Sequence, residues 1–115
     1  GSQRPPLTRR ECPDAAEPRK IYKEYENNEV RADKKYKGKW TLIGGASAGV
    51  DKDLFGKPIL KLKAGGYGMH DVWLYPDRRF EGFMAELDKG DRVLATCKGR
   101  GKTIMTPIFE DCFFL

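Results

Sequence analysis

The chain has 115 residues, enough for one domain with one modest core. Its 22 Lys/Arg against 17 Asp/Glu give a net charge of +5, but residues 1–39 hold 11 basic and 7 acidic residues while residues 40–115 hold 11 and 10. The excess therefore lies at the N-terminal end, which argues against a dedicated nucleic-acid binder with a basic body. No apolar run approaches the roughly 18 residues that a membrane-spanning helix needs.

Residues 1–17 open on Gly1-Ser2, which reads as a cloning scar, and hold three prolines and little apolar mass. They are expected to form a flexible leader, with the folded domain over 18–115. From Pro18 to Gly38 the spacing turns helical, with Ile21, Tyr22 and Tyr25 on one face, then Val30 and Tyr36. Asn27-Asn28 can end one helix and cap the next, and Gly38 can close the second.

The remainder, residues 39–115, alternates as strands. Lys39–Asp51 reads as a long first strand kinked at Gly44-Gly45. "DKDLFG" reads as a turn, Lys57–Lys63 as the second strand, "AGGYG" as a loop and Met69–Tyr75 as the third strand. In Asp77–Gly90, Phe80, Phe83, Met84 and Leu87 recur at three, four and seven residues, the period of an amphipathic helix. "DRVLATCK" and "TIMTPIFEDCFF" are the fourth and fifth strands.

Between them, "CKGRGKTIMTP" ends a stretch in Gly-Lys-Thr like a phosphate-binding P-loop. That loop needs a glycine five residues before its Gly-Lys pair, where Thr96 stands, and a helix after it, where Ile104-Met105-Thr106-Pro107 reads as strand. A tight turn centred on Gly99–Gly101, with Arg100 and Lys102 at its tip, is expected instead.

Three strands, a helix and two more strands, the first strand long and kinked, suit a mainly β fold: the five-stranded Greek-key barrel of the OB-fold. The helix between strands three and four would plug one end of the barrel. An SH3-like barrel usually lacks it.

Four segments carry a family resemblance: "YENNEVRADKKYKGKW", "GGASAGVDKDLFGKPILKLK", "LDKGDRVLATCKGRGK" and "FEDCFFL". Over roughly residues 22–113 the chain resembles the tRNA-anti-like OB-fold family of bacterial proteins. The matching motifs are Asn28–Lys39, Asp51–Pro58, Leu87–Val93 and Asp111-Cys112. The first strand departs from the family's valine-rich alternation, with Gly44, Ala46, Ser47 and Ala48 in its place. The resemblance implies an OB-fold and frequently an exported or lipid-anchored precursor. It implies no established activity.

Catalytic patterns are weak. His70 has no partner nucleophile in a recognisable motif, and Ser47 in "GASAG" lies inside a strand rather than at a nucleophile elbow. Glu110 and Asp111 alternate to opposite strand faces. A non-enzyme without cofactor is expected.

Cys12, Cys97 and Cys112 form no CxxC pair, and with a single histidine they assemble no metal site from local spacing. Alternation from Val93 buries Cys97. A turn centred on Gly99–Gly101 would hold Cys112 far from it, so Cys12 is the expected participant in any disulfide.

An OB-fold binds on the face of strands two and three, between the first–second and fourth–fifth strand loops. If Leu60, Leu62, Val72 and Leu74 point inward, Trp73 and Tyr75 stand outward beside Lys61 and Lys63, with Lys98, Arg100 and Lys102 in the neighbouring loop. Aromatics among lysines suit single-stranded nucleic acid. A register one residue away, or N-terminal helices laid over the face, would hide both rings, and this second arrangement is slightly preferred. The expected function is a non-catalytic binding module of the bacterial envelope or exterior, taking a protein or an anionic polymer. Its contact with a membrane would come only through a lipid anchor. The alternatives are a cytoplasmic single-strand nucleic-acid binder and a structural or assembly domain. Lys34, Lys35, Lys37 and Lys39 form a separate basic patch.

Overall fold

The computed structural model describes residues 15–65 and 70–115. Two helices, α1 (Pro18–Asn27) and α2 (Glu29–Tyr36), precede five strands: β1 (Trp40–Lys52), β2 (Pro58–Lys63), β3 (Asp71–Pro76), β4 (Arg92–Thr103) and β5 (Thr106–Phe114). The strands close into a barrel in the order β1-β2-β3-β5-β4, with β3 and β5 parallel and every other pair antiparallel. This is the mainly β barrel expected from the strand order.

The helices begin and end as their residue types require. Pro18 opens α1, and the side chain of Asn28 accepts a hydrogen bond from the Arg31 amide at 3.0 Å to start α2. Ile21, Tyr22, Tyr25 and Tyr36 are buried, and Tyr36 meets Phe109 of β5 edge-on with centroids 5.9 Å apart. Their polar ends are satisfied beside the core: Tyr25 donates to Asp33 at 2.9 Å and Tyr36 donates to Glu24.

Leu60, Leu62, Val72 and Leu74 are wholly buried, so strands β2 and β3 point these residues into the barrel. Each contributes about 1.5–3 kcal/mol relative to exposure. The long β1 pairs with both of its neighbours along different stretches: Trp40–Ala46 with β4 and Ser47–Lys52 with β2. The irregularity that permits this lies at Ser47–Gly49, with Gly49 at φ +129°, and not at Gly44-Gly45. Gly45 has a different role, because a Cβ there would sit 2.7 Å from the Pro18 ring at the start of α1.

Two further expectations are corrected. The helix expected between the third and fourth strands is present, but as two short 3₁₀ helices, Arg78–Phe80 and Gly82–Glu86, and not as one amphipathic α-helix over Asp77–Gly90. Only Met84 of the expected apolar face is fully buried, while Phe83 and Leu87 pack against the core part-exposed. Asp77 caps the first of the two 3₁₀ helices by accepting from the Arg79 amide at 2.9 Å.

The β4–β5 turn falls at Ile104–Met105, with Thr103 paired to Thr106, rather than at Gly99–Gly101. That register sets Cys97 against the end of β5. The ladder skips from Lys98↔Glu110 to Thr96↔Phe113, and Asp111 takes φ +53° in the resulting bulge. Cys97 and Cys112, both fully buried, are thereby brought to a Cα separation of 4.2 Å and joined by a disulfide. Cys12 lies outside the described residues.

Candidate binding groove

The two glycines of "CKGRGK" are required for different reasons. The connection from α2 to β1 crosses β4 so closely that a Cβ on Gly99 would lie 1.9 Å from the Tyr36 carbonyl oxygen. Gly38 donates to the Gly99 carbonyl at 2.8 Å, and Gly99 donates to the Lys39 carbonyl at 3.0 Å. Gly101, at φ +105°, completes a bulge in which Arg100 is the unpaired extra residue. The bulge sends the Arg100 side chain out over the Tyr75 ring, 5.6 Å from its centroid.

Arg100 thus enters an open groove of about 1030 Å³ on the outer face of β2, β3 and β5. Ile59 and Ile108, both buried, form its floor. Trp73 and Tyr75 line it, half-buried, neither inside the barrel nor beneath the helices. The slight preference for hidden rings is therefore wrong, because the helices pack over an end of the barrel instead of over this face.

Each ring carries a cation, and each cation a carboxylate. Lys61 Nζ stands 5.5 Å from the Trp73 centroid and 3.1 Å from Asp51. Arg100 Nε is 3.8 Å from Glu110. The hydrogen bond from Lys61 holds the Asp51 carboxyl below the ordinary aspartate range.

Asp53 organises the β1–β2 loop at one end of the groove. One of its oxygens accepts from the amides of Phe55 at 2.8 Å and Lys57 at 2.9 Å, and the other accepts from the Tyr75 hydroxyl at 3.2 Å. The Lys57 amide contributes most to holding the Asp53 carboxyl below its usual range. Burial, with Asp53 beside it, pushes the Tyr75 hydroxyl up.

The other expected ligand residues do not join this set. Lys63 is exposed at the end of β2 opposite Asp71, and Lys98 pairs with Trp40 in the β1–β4 ladder. Lys102 points to the helices, with Nζ 4.0 Å from Glu29. The patch of Lys34, Lys35, Lys37 and Lys39 is exposed on and after α2. Lys35 is paired with Glu24 at 2.7 Å, Lys39 donates to the Lys34 carbonyl, and the Lys37 methylenes lie beside Gly101.

The sequence places Leu54–Lys57 as the first–second strand loop beside the face, but the apolar character of its tip and the second tip at Ile104-Met105 went unrecognised. Leu54 is 99 % exposed, Phe55 87 %, Ile104 90 % and Met105 62 %. The signal was present in "DLFG" and "TIMT", where large apolar residues occupy turns that ordinarily take small or polar ones. Among the described residues no group of His, Cys, Asp and Glu is arranged to hold a metal ion, and no helix is long and apolar enough to cross a membrane.

Similarity to known proteins matches this architecture. A crystal structure described as a "putative nucleic acid-binding lipoprotein" from Klebsiella pneumoniae subsp. pneumoniae MGH 78578 superposes with a TM-score of 0.64 at 13 % identity, covering 95 % of this chain and 98 % of that one. Two OBodies solved bound to hen egg-white lysozyme, AM1L10 and AM3L09, each superpose with a TM-score of 0.52 over 70 % of this chain. They are 17 % and 18 % identical to it, and 83 % and 85 % of their own chains are covered. No curated protein is significantly similar in sequence. The tRNA_anti-like family profile spans residues 6–113, nearly the whole chain and all five strands of the barrel, and the chain belongs to that family.

Proposed function

We propose that the protein is a non-catalytic binding module that takes a protein ligand in the groove over β2, β3 and β5. The observation that carries this reading is the groove's charge. Five Lys/Arg and six Asp/Glu line it, in a chain whose overall charge is +5. A surface for a phosphate backbone accumulates unpaired cations, whereas here Lys61 and Arg100 each face a carboxylate. The residue types of the groove and its rim, Trp73, Tyr75, Phe55, Met105, Arg78 and Arg100, are those enriched in protein interfaces. The OBodies bound to lysozyme illustrate that a barrel of this shape can carry a protein ligand.

The buried Cys97–Cys112 disulfide favours work in an oxidising compartment, the bacterial envelope or exterior, over the cytoplasm.

A second reading, single-stranded nucleic acid, is favoured by one observation: cations stacked over two solvent-facing aromatic rings. Titration of labelled poly-dT and poly-U at two salt concentrations separates the two. The protein-ligand reading expects weak binding, indifferent to Trp73→Ala and lost when the lysines at 34, 35, 37 and 39 are neutralised. Submicromolar binding at physiological salt that depends on Trp73 would replace it with the second reading.

A further inference from the structure

We infer that the two apolar hairpin tips, Leu54-Phe55 and Ile104-Met105, are the jaws of a clamp that grips a protein segment carrying two apolar anchors and a neutral to slightly positive charge. The inference rests on the protein-ligand reading of the groove and adds the determinants that reading lacks.

The first argument is preorganisation. An apolar side chain on a mobile loop can be exposed by accident, but Leu54 and Phe55 stand on a loop fixed at three points by one carboxylate: two of its own amides and the Tyr75 hydroxyl on β3. The loop is tied to the groove wall while its apolar side chains remain in water. Rigid presentation of apolar surface lowers the entropy lost on binding.

The second argument is strain. Ile104 takes φ +55° at the tip of the β4–β5 hairpin, where its side chain is 90 % exposed. A β-branched residue is unfavourable in that region, and Asn or Gly would occupy it at less cost. An exposed isoleucine gains nothing from the core to offset this, so the side chain serves something outside the barrel.

The third argument is charge. Leu54, Phe55 and Thr103 line the same groove, so the two hairpins flank one surface. Its six acidic and five basic residues disfavour a polyanion and complement a segment with balanced charge or a small basic excess. A lipid surface would want unpaired basic residues behind the tips, but Asp51 and Asp53 stand beside Leu54 as closely in sequence as Lys52 and Lys57 do, and behind the second tip Arg100 and Lys102 face Glu110 and Glu29.

The test is selection of a phage-displayed library of random linear peptides on the intact protein. Selected peptides are then titrated against wild type, Leu54→Asp/Phe55→Asp, Ile104→Asn and Trp73→Ala. Enriched peptides should carry two separated apolar positions and no acidic excess. Each tip variant should weaken them about tenfold or more, the scale of an interface hot spot. Ile104→Asn should do so while leaving the melting temperature unchanged or higher, which separates lost contact from lost fold. Peptides that depend on Trp73 but ignore both tip variants would overturn the clamp and leave the groove as a protein site. Failure to enrich any peptide over a selection on the combined tip and Trp73 variants would overturn both. Binding of anionic vesicles that requires the tips, with no peptide enriched, would reassign the tips to a lipid surface.

Discussion

Gly99 is a residue at which a single methyl group does severe damage. A Cβ there cannot coexist with the Tyr36 carbonyl, so alanine must push the α2–β1 connection off β4 and break both hydrogen bonds that hold it. Gly99→Ala should cost about 2–4 kcal/mol in denaturant unfolding. Gly38 provides the control. It has φ +75° but open space around its missing Cβ, so Gly38→Ala should cost only about 1 kcal/mol. Equal losses at the two sites would refute the close approach. Asp53 makes a second prediction at this scale. Its carboxyl is held below the ordinary value by bonds that require its charge, so its contribution is complete above the unfolded pKa of about 3.9 and is lost as pH falls through the lower folded value. Amide resonances of Phe55 and Lys57 should therefore be constant from neutral pH to about 4 and move together below it. Asp53→Asn should abolish that transition.

Periodicity along the chain does not fix every element of this protein. Phe80, Phe83, Met84 and Leu87 fit a helical period, yet the segment forms two separate turns and buries only one of the four side chains completely. Met84→Ala should accordingly cost about 2–4 kcal/mol, and Phe83→Ala only about 1–2 kcal/mol, because the Phe83 ring is half-exposed against Phe114 with centroids 5.5 Å apart. A larger loss at Phe83 than at Met84 would restore the continuous amphipathic helix. The β4–β5 hairpin shows the same limit in a strand. Gly99 and Gly101 look like turn residues, but both lie within β4, and the chain turns at Ile104–Met105.

At the scale of the molecule, the disulfide joins the neighbouring strands β4 and β5, closing a sequence separation of 15 residues. A loop of that size corresponds to about 3 kcal/mol in the chain-entropy account. Replacing both cysteines by alanine should lower stability by about 2–4 kcal/mol with the barrel retained. Non-reducing mass spectrometry should find Cys97 and Cys112 in one linked peptide. Both sulfurs are buried, so reduction of the native protein should be slow and should accelerate in denaturant. Free thiols at both positions in protein purified without reductant would contradict the pairing.

Local rules were sufficient for much of this protein. Pro18, Asn28 and Gly38 mark the helices because caps and breaks act within one turn of chain. Leu60, Leu62, Val72 and Leu74 mark the barrel interior because alternation is a property of each strand alone. The pairing of Trp73 and Tyr75 with Lys61 and Arg100 was legible in part, since it needs only adjacent strands and one bulge. Three features belonged to the tertiary structure. The side of the barrel that the helices cover decides whether the two aromatic rings meet solvent. The turn position decides that Cys97 meets Cys112, and it depends on bulges at Arg100 and Asp111 that no periodicity announces. The groove's balance of charge depends on which side chains converge from β1, β2, β4 and β5, from the β1–β2 loop and from the turns after β3. That sum is taken across the fold and not along the chain.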